Sequence, residues 1–335
     1  MTSYSGTHYS DVNPRIGIYA VAKMLAYANS QLVLEKFAMV TPLPANKGLT
    51  IKWRRCVPFP VDTSTTLEGQ TVNPEIMEYE DVSATISQYS GWVQITDVIS
   101  QMHEDPVLDN IVSLISKKAA DTKEAIIWGV LKAGTNVIYS GAATTRATVE
   151  APISGDELDL AIRTLKANHA EPLTSMLSGS DDFGSEAIRG GYIAVGHVNL
   201  QQDLERLDGY VPIHKYGSQS PLCPQEEGAR GQIRFILTPH LEPFFGAGSS
   251  TTTGVLNTNS AVDVYPLVVF GKDAYGVTPL KGMNSAKIRV KNPGDNIDET
   301  DPNGQRGFVS WIMWYVAVRL NELWMIRLEC AVSAL

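Results

Sequence analysis

The chain has 335 residues, of which 44% are hydrophobic, so it can bury a large core and form two or three subdomains. Its 27 basic and 36 acidic residues give a formal net charge of −9, which disfavours a protein that wraps nucleic acid through the phosphates. The polar N-terminus predicts no secretory signal. The apolar stretch at 311–318 is shorter than the about 20 residues that a membrane-spanning helix needs. Cys56, Cys223 and Cys330 are too far apart in sequence to form a local metal site, and they predict free thiols.

A helix and then an extended segment are predicted at the start of the chain. Asn13 and Pro14 form a helix-start signal, and apolar residues follow at helical spacing as far as Leu32. Pro42 and Pro44 end this pattern, because proline lacks the amide donor that a helix requires. The pattern indicates an amphipathic N-terminal arm.

Two segments then alternate apolar and polar residues with period two, at 49–54 and 82–87. The intervening residues, 58–81, are rich in Thr, Pro and Glu and resemble the tip of a long two-stranded projection. A two-stranded ribbon is marginally stable in water. We therefore expect this projection to lie against another surface, such as a neighbouring subunit.

Two helices follow the projection. The stronger pattern predicts a helix over 106–133, roughly 40 Å long, ended by a glycine. A capping box over 154–157 opens the second helix, which closes at 168–172.

From Tyr192 onward, short apolar segments alternate with turns. They predict strands at 193–195, 233–237, 264–270, 308–318 and 325–331. The last two are predicted to pair with each other around 320–323. Few strands with two or three helices indicate an α+β fold.

The sequence does not favour an enzyme. No histidine lies three to five positions from a second His or Cys, as compact zinc sites require. The densest polar cluster, 103–105, precedes a helix, where acidic residues offset the helix dipole. Partial matches to a phosphate loop at 271–273 and to a dinucleotide motif at 246–251 lack required residues. We predict no catalytic residue, no cofactor and no metal site.

Charged residues on the projection are the candidate contacts between copies. The basic candidates are Lys52, Arg54 and Arg55, and the acidic ones are Glu68, Glu75, Glu78 and Glu80, with Asp81 beside them. A second basic run consists of Lys281, Lys287, Arg289 and Lys291. It could be a solvated face, a contact with acidic neighbours in an oligomer, or a face toward DNA. Trp311, Trp314, Tyr315 and Trp324 are interpreted as packing residues of the closing strands.

The order of several short segments resembles the major capsid proteins of tailed bacteriophages, in particular the family of N4-like phages. The segments are LP at 43–44, KGLTI at 47–51, RR at 54–55, LEG at 67–69, GWVQITD at 91–97, EDP at 104–106, AGTNVIY at 133–139, VFGKDAYG at 269–276 and DPNGQR at 301–306. Each is weak alone, and their shared order is specific. The resemblance is thinnest over 205–262.

The resemblance implies the α+β fold of tailed-phage and herpesvirus shells. Its expected parts are an N-terminal arm at 1–40, an extended loop at 41–97, a peripheral domain at 98–153 and 264–335 with a spine helix at 106–133, and an axial domain at 154–263.

The resemblance also implies assembly in place of catalysis. Copies would form pentamers and hexamers of an icosahedral shell around double-stranded DNA, as part of a virion assembled in the bacterial cytoplasm. Expected partners are portal, scaffolding and decoration proteins; because only a short segment precedes the first helix, the scaffolding protein is expected to be separate. The alternatives are an encapsulin-like nanocompartment shell, which would need a cargo peptide and no portal, and a soluble α+β enzyme.

Overall fold

A computed structural model provides the fold. It describes residues 32–44, 46–63, 65, 68–69, 71, 74–102, 107–174, 190–216, 221–250, 254–280, 287–294 and 300–334. The helix predicted after Pro14 and the cluster at 103–105 lie outside the described residues.

The described residues form four α-helices and sixteen β-strands. The helices are α1 (Asp97–Met102), α2 (Val107–Leu131), α3 (Gly155–Ala167) and α4 (Gln201–Glu205). The strands are β1 (Met39–Val40), β2 (Thr50–Cys56), β3 (Tyr79–Thr85), β4 (Ser87–Thr96), β5 (Val137–Tyr139), β6 (Tyr192–Gly196), β7 (Tyr210–Pro212), β8 (Glu226–Arg230), β9 (Ile233–Leu237), β10 (Asn257–Thr258), β11 (Ala261–Val262), β12 (Tyr265–Phe270), β13 (Tyr275–Pro279), β14 (Lys287–Lys291), β15 (Arg306–Arg319) and β16 (Met325–Cys330).

The ribbon predicted from the period-two segments is confirmed. Strands β2 and β3 pair antiparallel, with Trp53 opposite Val82, and they form a sheet of their own. In the middle of β2, Trp53 Nε1 donates a hydrogen bond to Thr41 Oγ1 at 3.3 Å. Arg55 of β2 and Glu80 of β3 line a cleft together with Val130 of α2, so the ribbon strands lie beside the body. The chain between the two strands is 57–78.

Strand β15 is the centre of a five-stranded sheet. One of its edges pairs with β4, and the other pairs with β14 and then with β13, to which β1 adds in parallel. Alternate residues of β15, including Val309, Trp311 and Met313, are buried in one core cluster with Ile115 and Ala119 of α2. The residues between them are only partly covered, because they face away from α2.

Both predicted helices are confirmed. Helix α2 lies within the predicted range of 106–133. Helix α3 begins at the predicted capping box, in which the backbone N–H of Ser154 donates to Glu157 Oε2 at 2.6 Å. Helix α3 buries Leu158, Ala161 and Leu165.

A seven-stranded sheet has the strand order β5-β16-β12-β6-β9-β8-β7. Helix α3 packs on one face of this sheet. The other face packs against Ile127, Trp128 and Leu131 of α2 and against part of the five-stranded sheet. Because both faces are covered, β6, β9, β12 and β16 are buried along their whole lengths.

The predicted pairing of the last two strands is wrong. Strand β15 pairs with β4, β13 and β14, whereas β16 pairs with β12 and β5 in the other sheet. Between them, Asn321 caps a short 3-10 helix at Glu322–Trp324 by accepting the backbone N–H of Leu323 at 3.1 Å. This helical turn carries the chain from one sheet to the other, so it is a crossover and not a hairpin turn.

Some of the observed strand pairings cross the domain limits expected from the sequence. Strands β12 and β16 pair in the same sheet as β6 and β9, although the expected limit at residue 264 separates them. Strand β4 falls within the expected extended loop and pairs with β15 of the five-stranded sheet.

Candidate assembly surface

The ribbon presents an acidic and apolar surface to solvent. Residues 57–80 contain five acidic residues and no Lys or Arg. Val61 is 90% exposed and Ile76 is 82% exposed. Among the other described residues of 57–80, Val57, Phe59, Met77 and Tyr79 are also large, apolar and exposed. Such a surface, without a core beneath it, is typical of a segment that packs against another molecule.

Two of the predicted basic contacts have partners within the same chain. Arg54 donates to both carboxylate oxygens of Asp81, at 2.7 and 3.0 Å. Arg55 Nε donates to Glu80 Oε2 at 2.8 Å. The hydrogen bond from Arg54 lowers the pKa of the Asp81 carboxyl group. Both pairs join residues that lie directly opposite each other on the two strands, so they stabilise the ribbon. Their charges are therefore less available to a neighbouring subunit.

The other predicted contacts form no ion pair within the described part of the chain. They are Lys52, Glu68, Glu75 and Glu78. Glu68, Glu75 and Glu78 lie in the exposed loop between β2 and β3. Their carboxylates are therefore available to a second molecule.

The outer face of the five-stranded sheet is the second candidate surface. Trp92 on β4 lies opposite Ser310 on β15, which lies opposite Arg289 on β14. Trp92 is 63% exposed, and Phe308 on the same face is also exposed. These residues line a shallow concavity of about 440 Å³. Trp92 was not among the sequence candidates, because alternation alone does not show which face of a strand is uncovered.

This face is bordered by positive charge. Lys287, Arg289 and Lys291 alternate along β14, while Ile288 between them packs into the core beneath. None of the three basic side chains forms an ion pair with residues in the described ranges. Lys281 of the same predicted run lies outside those ranges. Aromatic groups beside unpaired basic groups fit an acidic and apolar partner.

The predicted packing residues have two environments. Trp311 and Tyr315 are buried between the five-stranded sheet and α2. Trp324 Nε1 donates to the carbonyl oxygen of Asn168 at 3.0 Å. Trp314, in contrast, is half-buried on the outer face of β15.

Within the described ranges, no group of three His, Cys, Asp or Glu side chains could hold a metal ion. Cys56 is exposed, Cys223 and Cys330 are buried, and all three are free. No described helix is both long enough and apolar enough to span a membrane. The largest shifts in pKa belong to buried groups such as Tyr315 and Cys330, where burial raises the pKa. Such groups are part of the core and lie away from the two exposed surfaces.

Comparisons of the sequence and of the fold with known proteins all find phage capsid proteins. A family model described as phage capsid protein matches residues 79–328. The major capsid protein of Pseudomonas phage KPP21 is 26% identical over 247 residues, which cover 69% of this chain and 62% of that protein. This chain thus matches less than two thirds of the relative's length.

Solved structures with a similar fold include two phage capsids. The capsid of Ralstonia phage GP4 has a TM-score of 0.67 at 12% identity, with 98% of this chain and 99% of that chain covered. The capsid of Cyanophage P-SCSP1u has a TM-score of 0.61 at 17% identity, with 99% and 97% covered. At these identities, the likeness concerns the fold.

Proposed function

Because this chain belongs to the phage capsid protein family and has the fold of tailed-phage capsids, we propose that it is a major capsid protein that forms the shell of a tailed phage. The observation that carries the proposal is the family match over 79–328, which includes α2 and both sheets except β1 and the last two residues of β16. The relatives and fold neighbours are structural capsid proteins and not enzymes. Membership of the N4-like group is part of the proposal and rests on the ordered segments of the sequence.

The proposed mechanism is assembly by repeated contacts between identical chains. Copies associate head to tail into pentamers and hexamers, because a contact between two different surfaces of one chain closes into a ring. These units form an icosahedral shell that encloses double-stranded DNA without sequence-specific binding. Portal, scaffolding and decoration proteins are the proposed partners, and assembly takes place in the host cytoplasm.

The two sheets suggest how the domains are arranged. We assign the spine helix to α2 and the peripheral domain to the five-stranded sheet that packs on it. The axial domain is the seven-stranded sheet with α3. The extended loop is the ribbon of β2 and β3 with the loop between them, and the N-terminal arm is 1–40.

We propose that the ribbon loop of one copy contacts the outer sheet face of another. The loop carries unpaired carboxylates and exposed apolar groups, and the face carries unpaired Lys and Arg side chains beside Trp92 and Phe308. Each exposed ion pair contributes only about 0–1 kcal/mol. The burial of apolar area, at about 25 cal/mol per Å², would supply most of the stabilisation, while the charges select the orientation.

Negative-stain electron microscopy tests shell formation. The protein is produced alone and together with its neighbouring phage genes. Uniform closed shells, or rings of five and six subunits, are the expected result. Only small discrete particles under both conditions would rule out the proposal. Faithful assembly of the purified chain alone at the native size would argue against a separate scaffolding protein.

A charge exchange tests the proposed contact. The variant Glu75→Lys with Glu78→Lys is expected to reduce shell yield, because it places like charges against β14. Adding Arg289→Glu with Lys291→Glu is expected to restore part of the yield. Glu242→Lys, which changes an exposed carboxylate away from the ribbon, is the control and should assemble normally. Equal yields from the acidic-loop variant and the control would contradict the contact.

A further inference from the structure

Residues 33–43 connect the start of the described chain to the ribbon, and they pack on α2 and on the edge of the five-stranded sheet. Val33 and Leu34 are fully buried. A 3-10 helix follows at Leu34–Phe37, and the backbone then pairs with β13 and its extension as far as Leu43. The attachment of this segment therefore determines where the base of the ribbon lies.

A single buried carboxyl group of α2 holds the start of the segment. Glu124 is 2% exposed, and its Oε1 accepts the backbone N–H groups of Val33 at 3.3 Å and Leu34 at 3.2 Å. N–H groups at the start of a helix have no acceptor within it, so Glu124 satisfies donors that would otherwise be unpaired. Its Oε2 is buried and has no hydrogen-bond partner among the described residues. The hydroxyl of Tyr275 also donates to the carbonyl oxygen of Leu34, at 2.6 Å.

Among the residues that the structure describes, no cation forms an ion pair with Glu124. The charged and titratable side chains that face this group are Glu35 on the segment, Asp121 and Lys123 on α2, and Tyr275 and Tyr315 on the five-stranded sheet. The Lys123 ammonium lies 3.4 Å from Glu35 Oε2 and 5.4 Å from the centre of the Tyr315 ring. Lys123 thus pairs with Glu35, and Glu124 forms no ion pair within the described ranges.

We propose that Glu124 is a proton-dependent latch for residues 33–43, which holds the segment on α2 when the carboxyl group is neutral and weakens the attachment when it is ionised. A neutral carboxyl group still accepts both N–H groups through its carbonyl oxygen. A carboxylate in the same place is buried without a cation, which is costly. The inference concerns the single chain and does not depend on shell formation.

The direction of the pH dependence follows from burial. Burial is the main cause that raises the pKa of Glu124, the charges of Glu35 and Asp121 act in the same direction, and the two N–H groups lower it; together they raise the pKa to about 7. The attached state therefore binds the proton more tightly than the detached state. Attachment is strongest at acid pH, weakens as the pH rises from the ordinary range of a carboxyl group to about 7, and then levels off.

Hydrogen–deuterium exchange of the full chain at a series of pH values tests the latch. At each pH, the measured exchange rate is divided by the intrinsic rate of an unprotected amide at that pH. Peptides covering 33–43 are then compared with peptides covering β6 and β9. A shift from the reference pKa of 4.5 to about 7 predicts that the opening equilibrium of the segment increases roughly 30-fold between about pH 5.5 and 8.5. The buried strands are expected to show no such change.

The variant Glu124→Gln keeps an acceptor oxygen and cannot ionise, so protection of 33–43 should become independent of pH. Asp109→Asn, which removes an exposed carboxylate from the first turn of α2, is the matched control and should retain the wild-type dependence. An unchanged pH dependence in Glu124→Gln would overturn the proposal. If that variant does not fold, the wild type alone decides: equal pH dependence in 33–43 and in the buried strands also overturns it.

Discussion

Removal of the Glu329 charge is expected to destabilise the subunit strongly. Glu329 on β16 is fully buried, and it accepts hydrogen bonds from Arg146 Nε at 2.9 Å and Nη2 at 2.7 Å. Arg327 Nε lies 2.7 Å from Glu329 Oε1, and this guanidinium is almost fully buried. The Arg146 guanidinium also lies 3.6 Å from the centre of the Phe244 ring. One carboxylate thus forms ion pairs with two arginines. In the Glu329→Gln variant, both guanidinium groups would lose this anionic partner.

The expected magnitude comes from the contrast between buried and exposed ion pairs. Loss of one partner from a buried pair costs about 3–5 kcal/mol, because the remaining charge stays out of water. Glu80→Gln is the matched control, since Glu80 pairs with Arg55 at 2.8 Å on the exposed ribbon. An exposed pair of this kind contributes about 0–1 kcal/mol.

Urea unfolding of the unassembled subunit at pH 7, followed by near-ultraviolet circular dichroism, compares the two variants. The free energy of unfolding should fall by about 3 kcal/mol or more for Glu329→Gln and by less than about 1 kcal/mol for Glu80→Gln. The slope of the unfolding free energy against urea should stay the same for both. Losses of equal size would refute the reasoning that burial decides the effect.

Three further substitutions test local contacts. In Gly91→Ala, the new Cβ would lie 2.8 Å from Nε1 of the buried Trp311, so a loss of about 1–3 kcal/mol in urea unfolding is expected. Glu157→Ala removes the capping box of α3 and should cost about 1 kcal/mol, with faster amide exchange in the first turn as the check. Tyr275→Phe should cost about 1 kcal/mol and increase exchange in 33–43 equally at every pH; an effect confined to high pH would contradict this.

Features that depend on neighbouring residues in sequence were predictable. The period-two segments gave the pairing partners β2 and β3 because a short antiparallel ribbon has few alternative registers. The capping box gave the start of α3 because Ser154 and Glu157 satisfy each other within one turn.

Features that depend on the packing of distant elements were not predictable. Strands β15 and β16 both contain strong apolar runs. The spacing of apolar residues identifies a strand, but it does not identify the strand with which it pairs. Their environments differ, since β16 is covered on both faces and β15 on one. The role of Glu124 was hidden for a similar reason, because a charged residue in a long helix normally faces water.

Two surfaces of the single chain leave large apolar residues uncovered. The outer face of β15 carries Phe308, Ile312 and Trp314, a composition closer to a core than to a solvated face. The ribbon loop carries Val61 and Ile76 with almost no burial. In the isolated chain each surface faces solvent, and in the proposed contact a second copy would cover them. In the contact proposed above, the acid on the loop and the base on the sheet face would give the association between two copies a direction.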